Sequence, residues 1–233
     1  MVYEFVDSGD IKKIFWKMLY AIDLDGYTLE SEMSQTYKEG REPIIMTVFE
    51  PNTKSTSDIL PEEVLEYFPT SFVERYAINV ASALPEEGDW DYTYGGRLAL
   101  FNQLEKAIKV LKNFPDTRKA VCTLRIPEDI DMKNPPCMTV MDFKIRDGLN
   151  AFAWLRSNDA IFGWPNNYME MLYTSFRVAS EVGVPLKKVS TMSQSMHYYF
   201  RSQNIVDMAD GKLNDEEKLE IAEMVKPKFR PSK

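Results

Sequence analysis

Cys137 closes the triplet Pro135-Pro136-Cys137, and the chain then presents Arg156-Ser157-Asn158-Asp159, Gly163-Trp164-Pro165-Asn166-Asn167 and Ser195-Met196-His197-Tyr198-Tyr199. These segments bring a thiol, a guanidinium, hydroxyls, a carboxylate, carboxamides and the chain's only histidine into its C-terminal half. A thiolate is a strong nucleophile, and adding it covalently to a substrate splits one difficult step into easier ones. A free cysteine picked blindly is most often a small buried hydrophobe. Here two prolines fix the chain into the strand that follows, and a nearby arginine would lower the thiol pKa from about 8.5 by favouring thiolate. Cys122, inside the apolar run Ala120-Val121-Cys122-Thr123-Leu124, reads as core.

The other polar residues each carry a bland and a chemical reading. Arg156 ends a stretch with alternating Asn150, Phe152 and Trp154; it is either a surface partner of Asp159 or a planar fork for a phosphate monoester, with Ser157 as a further donor. Asn167 offers both an acceptor and a donor, or it caps the helix that follows, a task Asn166 can also perform. His197 and Tyr199 point the same way from a strand by the period of two, which suits paired contacts to one sugar hydroxyl. A lone histidine is more often structural or exposed. One histidine and no cysteine cluster make no conventional zinc site, and without a glycine-rich phosphate loop the ATP and dinucleotide readings fall away.

Taken in order, the Pro-Cys nucleophile, Arg-Ser-x-Asp, Gly-x-Pro-x-Asn and His-x-Tyr resemble the thymidylate synthase and pyrimidine deoxynucleotide hydroxymethylase superfamily, in a short, archaeal- or phage-like form. That is the inventory for holding a phosphorylated pyrimidine beside a thiolate. The resemblance covers residues 90 to 200 well and residues 1 to 90 weakly. It implies a single catalytic domain over residues 1–233, of class α+β, with a mixed or antiparallel sheet flanked by helices and a sheet-packed homodimer. In it Cys137 would add to C6 of the ring, Arg156, Ser157, His197 and Tyr199 would hold phosphate and sugar, and Asn167 would read the base. Asp116-Thr117-Arg118-Lys119 resembles the family's Asp-x-Arg-Arg segment, which implies that Arg118 reaches the partner subunit's phosphate; Lys119 lacks the bidentate fork of an arginine. Tyr94, in Tyr94-Gly95-Gly96-Arg97, would join the water network that removes the C5 proton. Glu74, in Val73-Glu74-Arg75-Tyr76, is the candidate catalytic glutamate, although its usual surroundings are missing. Asp159, with Gly163 beside it, would meet the pterin of 5,10-methylenetetrahydrofolate or a related reduced pterin, or else Asp159 caps the segment that follows.

Two departures bear on the reaction. Met138 follows the nucleophile where most thymidylate synthases carry histidine, and Lys226 to Lys233 lacks the apolar tail that closes over the folate in the common enzyme. A sealed site favours hydride transfer and thymidylate; a wetter one lets water capture the methylene intermediate as a hydroxymethyl group. The first reading is therefore dUMP methylation, the second a dUMP or dCMP hydroxymethylase, and the third a nucleotide-binding relative without catalysis. Asn167 favours uracil in either enzyme.

Positioning such a site asks for a core and a sheet. With 44% apolar and 12% aromatic residues in 233, the chain is rich enough to pack one. A formal net charge of −8 argues against a nucleic-acid binder, which neutralises many phosphates with clustered Lys and Arg. No apolar run is long enough to span a membrane, and Met1-Val2-Tyr3-Glu4 is not a basic-then-apolar signal, so a cytoplasmic, disulfide-free protein is expected. Ser8-Gly9-Asp10 before Ile11, Ile14, Phe15, Met18 and Leu19 predicts a capped helix ending near Gly26, and Pro43 to Phe49 predicts a strand. Helices are expected from Pro61 to Leu65, from Ser71 to Ala83, and as one long element through Leu98 and Leu111 to Asn113. Strands are expected at 120–124, 138–145 and 149–156, the last two joined by a hairpin at Asp147-Gly148, and a long one at 188–200. Helices are expected again at 168–182 and 214–224.

Overall fold

The computed structural model describes residues 1–7, 10–53, 55–85, 88 and 91–226. A six-stranded mixed sheet forms from β1 (Tyr3–Asp7), β4 (Ile44–Phe49), β5 (Val121–Thr123), β6 (Met138–Ile145), β7 (Leu149–Leu155) and β9 (Leu186–Ser193), in the order β1-β4-β9-β7-β6-β5. Register aligns one row across it, Phe5, Met46, Thr191, Ala153, Met141 and Cys122, every member at most 4% exposed. Strand side chains alternate faces, so this row is the core side of the sheet. The single hydroxyl in it, on Thr191, accepts from the Trp164 indole N–H at 3.1 Å, which leaves no buried polar group unanswered there. Cys122 is thus core, as its apolar run suggests, and burial pushes its thiol up to about 12.

A second, four-stranded sheet contains β2 (Tyr27–Glu30), β3 (Thr36–Glu39), β8 (Asn158–Asp159) and β10 (Met196–Tyr199), ordered β2-β3-β10-β8. The helices are α1 (Ile11–Asp25), α2 (Thr56–Ile59), α3 (Glu62–Leu65), α4 (Thr70–Ala81), α5 (Tyr94–Ala99), α6 (Gln103–Asn113), α7 (Trp164–Val182), α8 (Gln203–Lys212) and α9 (Asp215–Val225). Asp10 caps α1 by accepting from the Lys13 N–H, and Gly26 ends it. The expected cap partners Ser8 and Gly9 lie outside the described residues, as do residues 227–233 of the C-terminal segment.

Three expectations are corrected. The long helix through 98–111 is two helices, because Phe101 and Asn102 sit at φ 58° and 53°. The break sets the Gln103 carboxamide against the Thr123 backbone, where it donates to the carbonyl at 2.9 Å and accepts from the N–H at 2.8 Å, extending the sheet edge. The strand expected at 188–200 is β9 and β10 in different sheets: the Gln194 N–H still bonds the Leu155 carbonyl, and the chain then crosses over. The helix expected from Tyr168 begins at Trp164, with Pro165 in its first turn, where its missing N–H costs nothing.

Candidate active site

The β6–β7 hairpin makes the first juxtaposition. Its turn, Asp147 at φ 53° and Gly148 at φ 107°, has the positive φ pair that a tight hairpin wants. Register then places Met138 opposite Leu155, so Cys137 just before β6 faces Arg156 just after β7, and the Arg156 N–H donates to the Cys137 carbonyl at 2.9 Å. The guanidinium folds back over the same segment: Nε donates to the Pro136 carbonyl at 3.1 Å, Nη2 to the Pro135 carbonyl at 2.8 Å, and Nη2 lies 3.8 Å from Cys137 Sγ. Of the five N–H donors of a guanidinium, the pair on Nη1 is uncommitted by these bonds.

Cys137 is half-buried, and burial pushes its thiol above the ordinary value near 9. Arg156 and, less strongly, Arg125 pull it back, while Glu170 pushes it up. The expected lowering by arginine is therefore present but outweighed by desolvation.

The second sheet brings the sugar-side candidates. β10 runs parallel to β8, pairing His197 with Asp159, and antiparallel to β3, pairing Tyr199 with Tyr37. The His197 ring meets Tyr199 edge-on at 5.3 Å and Tyr37 at 5.4 Å, so His197 and Tyr199 do share a side. Ser195, at the start of this turn, donates to a Glu39 carboxylate oxygen.

The start of α7 supplies the third part. Gly163 packs so closely that a Cβ there would lie 2.7 Å from Asn158 Oδ1 and 2.9 Å from the Asp159 carbonyl oxygen. Asn167, 7% exposed, donates from Nδ2 to Asn158 Oδ1 at 3.0 Å, and Asn158 in turn donates to Ser193 Oγ at 3.2 Å. Neither Asn167 nor Asn166 caps the helix; Asn166 donates to the Phe162 carbonyl from within the first turn. Asp159 does the local capping, its Oδ1 accepting from Ile161 and Phe162 N–H at 2.9 and 3.0 Å.

These elements enclose a pocket of about 900 Å³. Cys137, Arg156, Ser157 and Asn167 line it, as do Asp159, Gly163, His197 and Tyr199. Tyr94 lies behind it, fully buried, its hydroxyl accepting the Met138 N–H at 2.9 Å; burial first, then Tyr92, hold its phenol well above the usual range. Glu74 is not on the pocket wall: its carboxylate accepts from the Thr56 N–H at 2.9 Å and the Thr56 hydroxyl at 3.2 Å, tying α4 to the start of α2. Arg118 is exposed on the α6–β5 connection and outside this pocket. Sequence reasoning missed Tyr37, Glu30, Glu32 and Lys133, which also line it. Glu30 and Tyr37 lie in strands of only four residues and Glu32 and Lys133 in loops, too short a run for a periodic signal to find them. Among the described residues no group of three or more His, Cys, Asp or Glu is placed to hold a metal ion, and no helix is long and apolar enough to cross a membrane.

The sequence profile of the family described as thymidylate synthase matches residues 72–229. A protein of Methanothermobacter thermautotrophicus named "Putative thymidylate synthase" is 31% identical over 208 residues, covering 83% of this chain and 92% of its own. A protein of Methanosarcina acetivorans with the same name is 29% identical over 208 residues, covering 87% and 92%. Among solved structures, thymidylate synthase from T4 phage superposes with a TM-score of 0.64 at 16% identity, over 83% of this chain and 79% of that one, which shows the shared α+β fold. With the profile spanning most of the chain and its motifs gathered into one pocket, the protein belongs to the thymidylate synthase family.

Proposed function

We propose that this chain, as a single catalytic domain in a cytoplasmic homodimer, methylates dUMP at C5 to give dTMP, through a covalent adduct between Cys137 and C6. The observation that carries the reading is Arg156 Nη2 at 3.8 Å from Cys137 Sγ on the wall of a pocket that also holds Asn167, His197 and Tyr199. The two uncommitted N–H groups of Arg156 and the Ser157 hydroxyl suit a phosphate monoester. His197 and Tyr199 suit the sugar 3′-hydroxyl. Asn167 keeps one amide hydrogen and its carbonyl oxygen for O4 and N3–H of the base.

Held so, the ring presents C6 to the thiolate. The S–C6 bond forms, the C5=C6 electron pair moves onto C5 and O4, and C5 becomes the carbon nucleophile. After C5 has taken the new carbon it loses its proton, with Tyr94 in the relay, and the C6–S bond breaks to return the thiolate. When bound, 5,10-methylenetetrahydrofolate supplies the one-carbon unit and the hydride. The pocket fits such a group: Met33, Ile130 and Met132 give apolar surface for a flat ring, and Asp159 next to Gly163 gives an acceptor for its polar edge. Arg118, exposed on its loop, is assigned to the partner subunit's phosphate site.

A second reading, hydroxymethylation of dUMP or dCMP, is favoured by one feature: Met33 and Ile130 are 61% and 72% exposed, so the pocket wall is open to water. Incubation with dUMP tritiated at C5 and methylenetetrahydrofolate, with dCMP in parallel, separates the readings. Tritium release with the absorbance rise of dihydrofolate is expected. Release without that rise would make the chain a hydroxymethylase, and no release from either nucleotide would leave a binding protein.

A further inference from the structure

Glu170 lies one turn beyond Asn167 on α7 and is 3% exposed. Residues three apart share a helix face, so the element that carries the base-reading amide to the pocket also carries this carboxyl group, set deeper. Its Oε2 is buried and has no hydrogen-bond partner among the described residues. Ionised there, it would be an unpaired buried charge, which a protein avoids by keeping the proton on.

The groups around it are those of the nucleophile. The Tyr94 hydroxyl accepts the N–H of Met138, the residue after Cys137, and the Tyr94 ring meets that of Tyr92 edge-on at 5.6 Å, with a side-chain hydrogen bond between the two residues. The charge of Glu170 acts on Tyr92, on Tyr94 and on Cys137, in each case favouring the protonated form. Against it stand Arg156 and Arg125, which act on the thiol. The other charges on neighbouring elements are engaged elsewhere: Asp58 of α2 and Glu74 of α4 act on Tyr173, one turn farther along α7, and Arg97 of α5 pairs with Asp129. Arg75 of α4 lies over the Phe72 ring. On α6, Glu105 pairs with Arg177 and Lys112 with Glu181, while Lys106 and Lys109 are exposed. Asp142 and Lys144 of β6 pair with each other, Lys187 of β9 pairs with Glu50, and Lys188 lies over the Phe49 ring. Nothing among these offers Glu170 a counter-charge, whereas the thiol has Arg156.

We propose that Glu170 is a positioning residue for the nucleophile: a buried carboxyl group, electrostatically coupled to Cys137 and to the Tyr92–Tyr94 hydroxyl pair, whose loss of a proton opposes formation of the thiolate. The two acids behave as one coupled pair sharing one cation: where Glu170 has lost its proton, its charge holds back the proton of Cys137. The inference rests on Cys137 being the nucleophile and on no particular nucleotide. It places a proton-bearing acid on α7, where the sequence offered Glu74 on α4.

The test uses the intact chain and Glu170→Gln, the neutral isostere of the protonated acid. The rate of Cys137 alkylation by iodoacetamide is followed against pH, with peptide mass spectrometry separating Cys137 from buried Cys122. In the variant the profile is expected to move to lower pH and narrow to a single titration; superimposable profiles in two folded proteins would overturn the proposal. A merely structural residue would not move that midpoint. Stability gives a second readout. A carboxyl held well above its ordinary value near 4.5 keeps its proton in the folded chain where the unfolded chain has lost it. Its favourable contribution is therefore complete below that value and drains as pH rises, so the Tm of the variant relative to the parent should climb from pH 5 to pH 8. A constant difference would count against the proposal. Should the variant fail to fold, the parent alone decides: its infrared spectrum at neutral pH must contain a protonated carboxyl stretch that shifts when Cys137 is alkylated, and absence of that band overturns the inference. None of these measurements involves a nucleotide, so they stand or fall apart from the dUMP assay.

Discussion

At the scale of single residues, Asn167, the residue proposed to read the base, sits in a network that can reverse itself. Its Nδ2 donates to Asn158 Oδ1, and Asn158 Nδ2 donates to the Ser193 hydroxyl. A hydroxyl donates as readily as it accepts, so the Asn158 amide can turn over and offer Nδ2 to a carboxylate at position 167. Asn167→Asp should then fold with a stability change within about 1 kcal/mol, the net worth of one hydrogen bond. Its effect belongs to the base: an acceptor-only side chain loses the donor for O4 and gains a match to a cytosine amino group. The ratio of kcat/KM for dCMP over dUMP should rise on the order of 100-fold, because an unmatched buried polar contact discriminates strongly. An unchanged ratio in a folded variant would remove Asn167 from base reading.

At the scale of elements, the site is made where two strand ends and one helix start meet, and its fragile point is the contact between them. Gly163 lets the start of α7 lie against Asn158 and Asp159 of β8; a methyl group at its Cβ position would press on backbone and on the oxygen that receives Asn167. Gly163→Ala should cost about 1–3 kcal/mol of stability, as overpacking typically does, and should weaken nucleotide binding more than it lowers Tm, measurable by titration calorimetry beside thermal melts. Much of this was legible. The β6–β7 hairpin declares itself through Asp147-Gly148 and the alternation of Asn150, Phe152 and Trp154, and once it is drawn Cys137 and Arg156 must be neighbours. What was not legible depends on distant contacts. β2 is only four residues long and exposed along its whole length, and β10 continues the pattern of β9 although the chain changes sheets at Gln194. Glu170 reads locally as one polar residue in a helix, and only the packing of α4 and of the six-stranded sheet against α7 turns it into a buried acid.

At the scale of the whole molecule, the two faces of the six-stranded sheet differ. Opposite the core row, register aligns Val6, Thr47, Ser190, Phe152, Asp142 and Val121, with Val6 and Val121 at 45% and 41% exposed. Thr47 and Ser190 satisfy each other at 2.9 Å, and Asp142 pairs with Lys144, so this half-apolar face already has its central hydroxyls answered and suits burial against a second copy. Arg118, exposed and outside its own chain's pocket, is then free to serve the partner's. The arrangement predicts complementation between dead subunits. Cys137→Ala retains Arg118, and Arg118→Ala retains Cys137; in a mixed dimer one site combines the intact thiol with the intact arginine, while the other lacks both. Equal mixing after denaturation and refolding makes half of the dimers mixed, with one working site in two, so activity should recover to about a quarter of the parent level for a closed two-fold dimer. Activity that stays at the level of the separate variants, with mixed dimers demonstrated by native mass spectrometry, would place Arg118 outside the shared site.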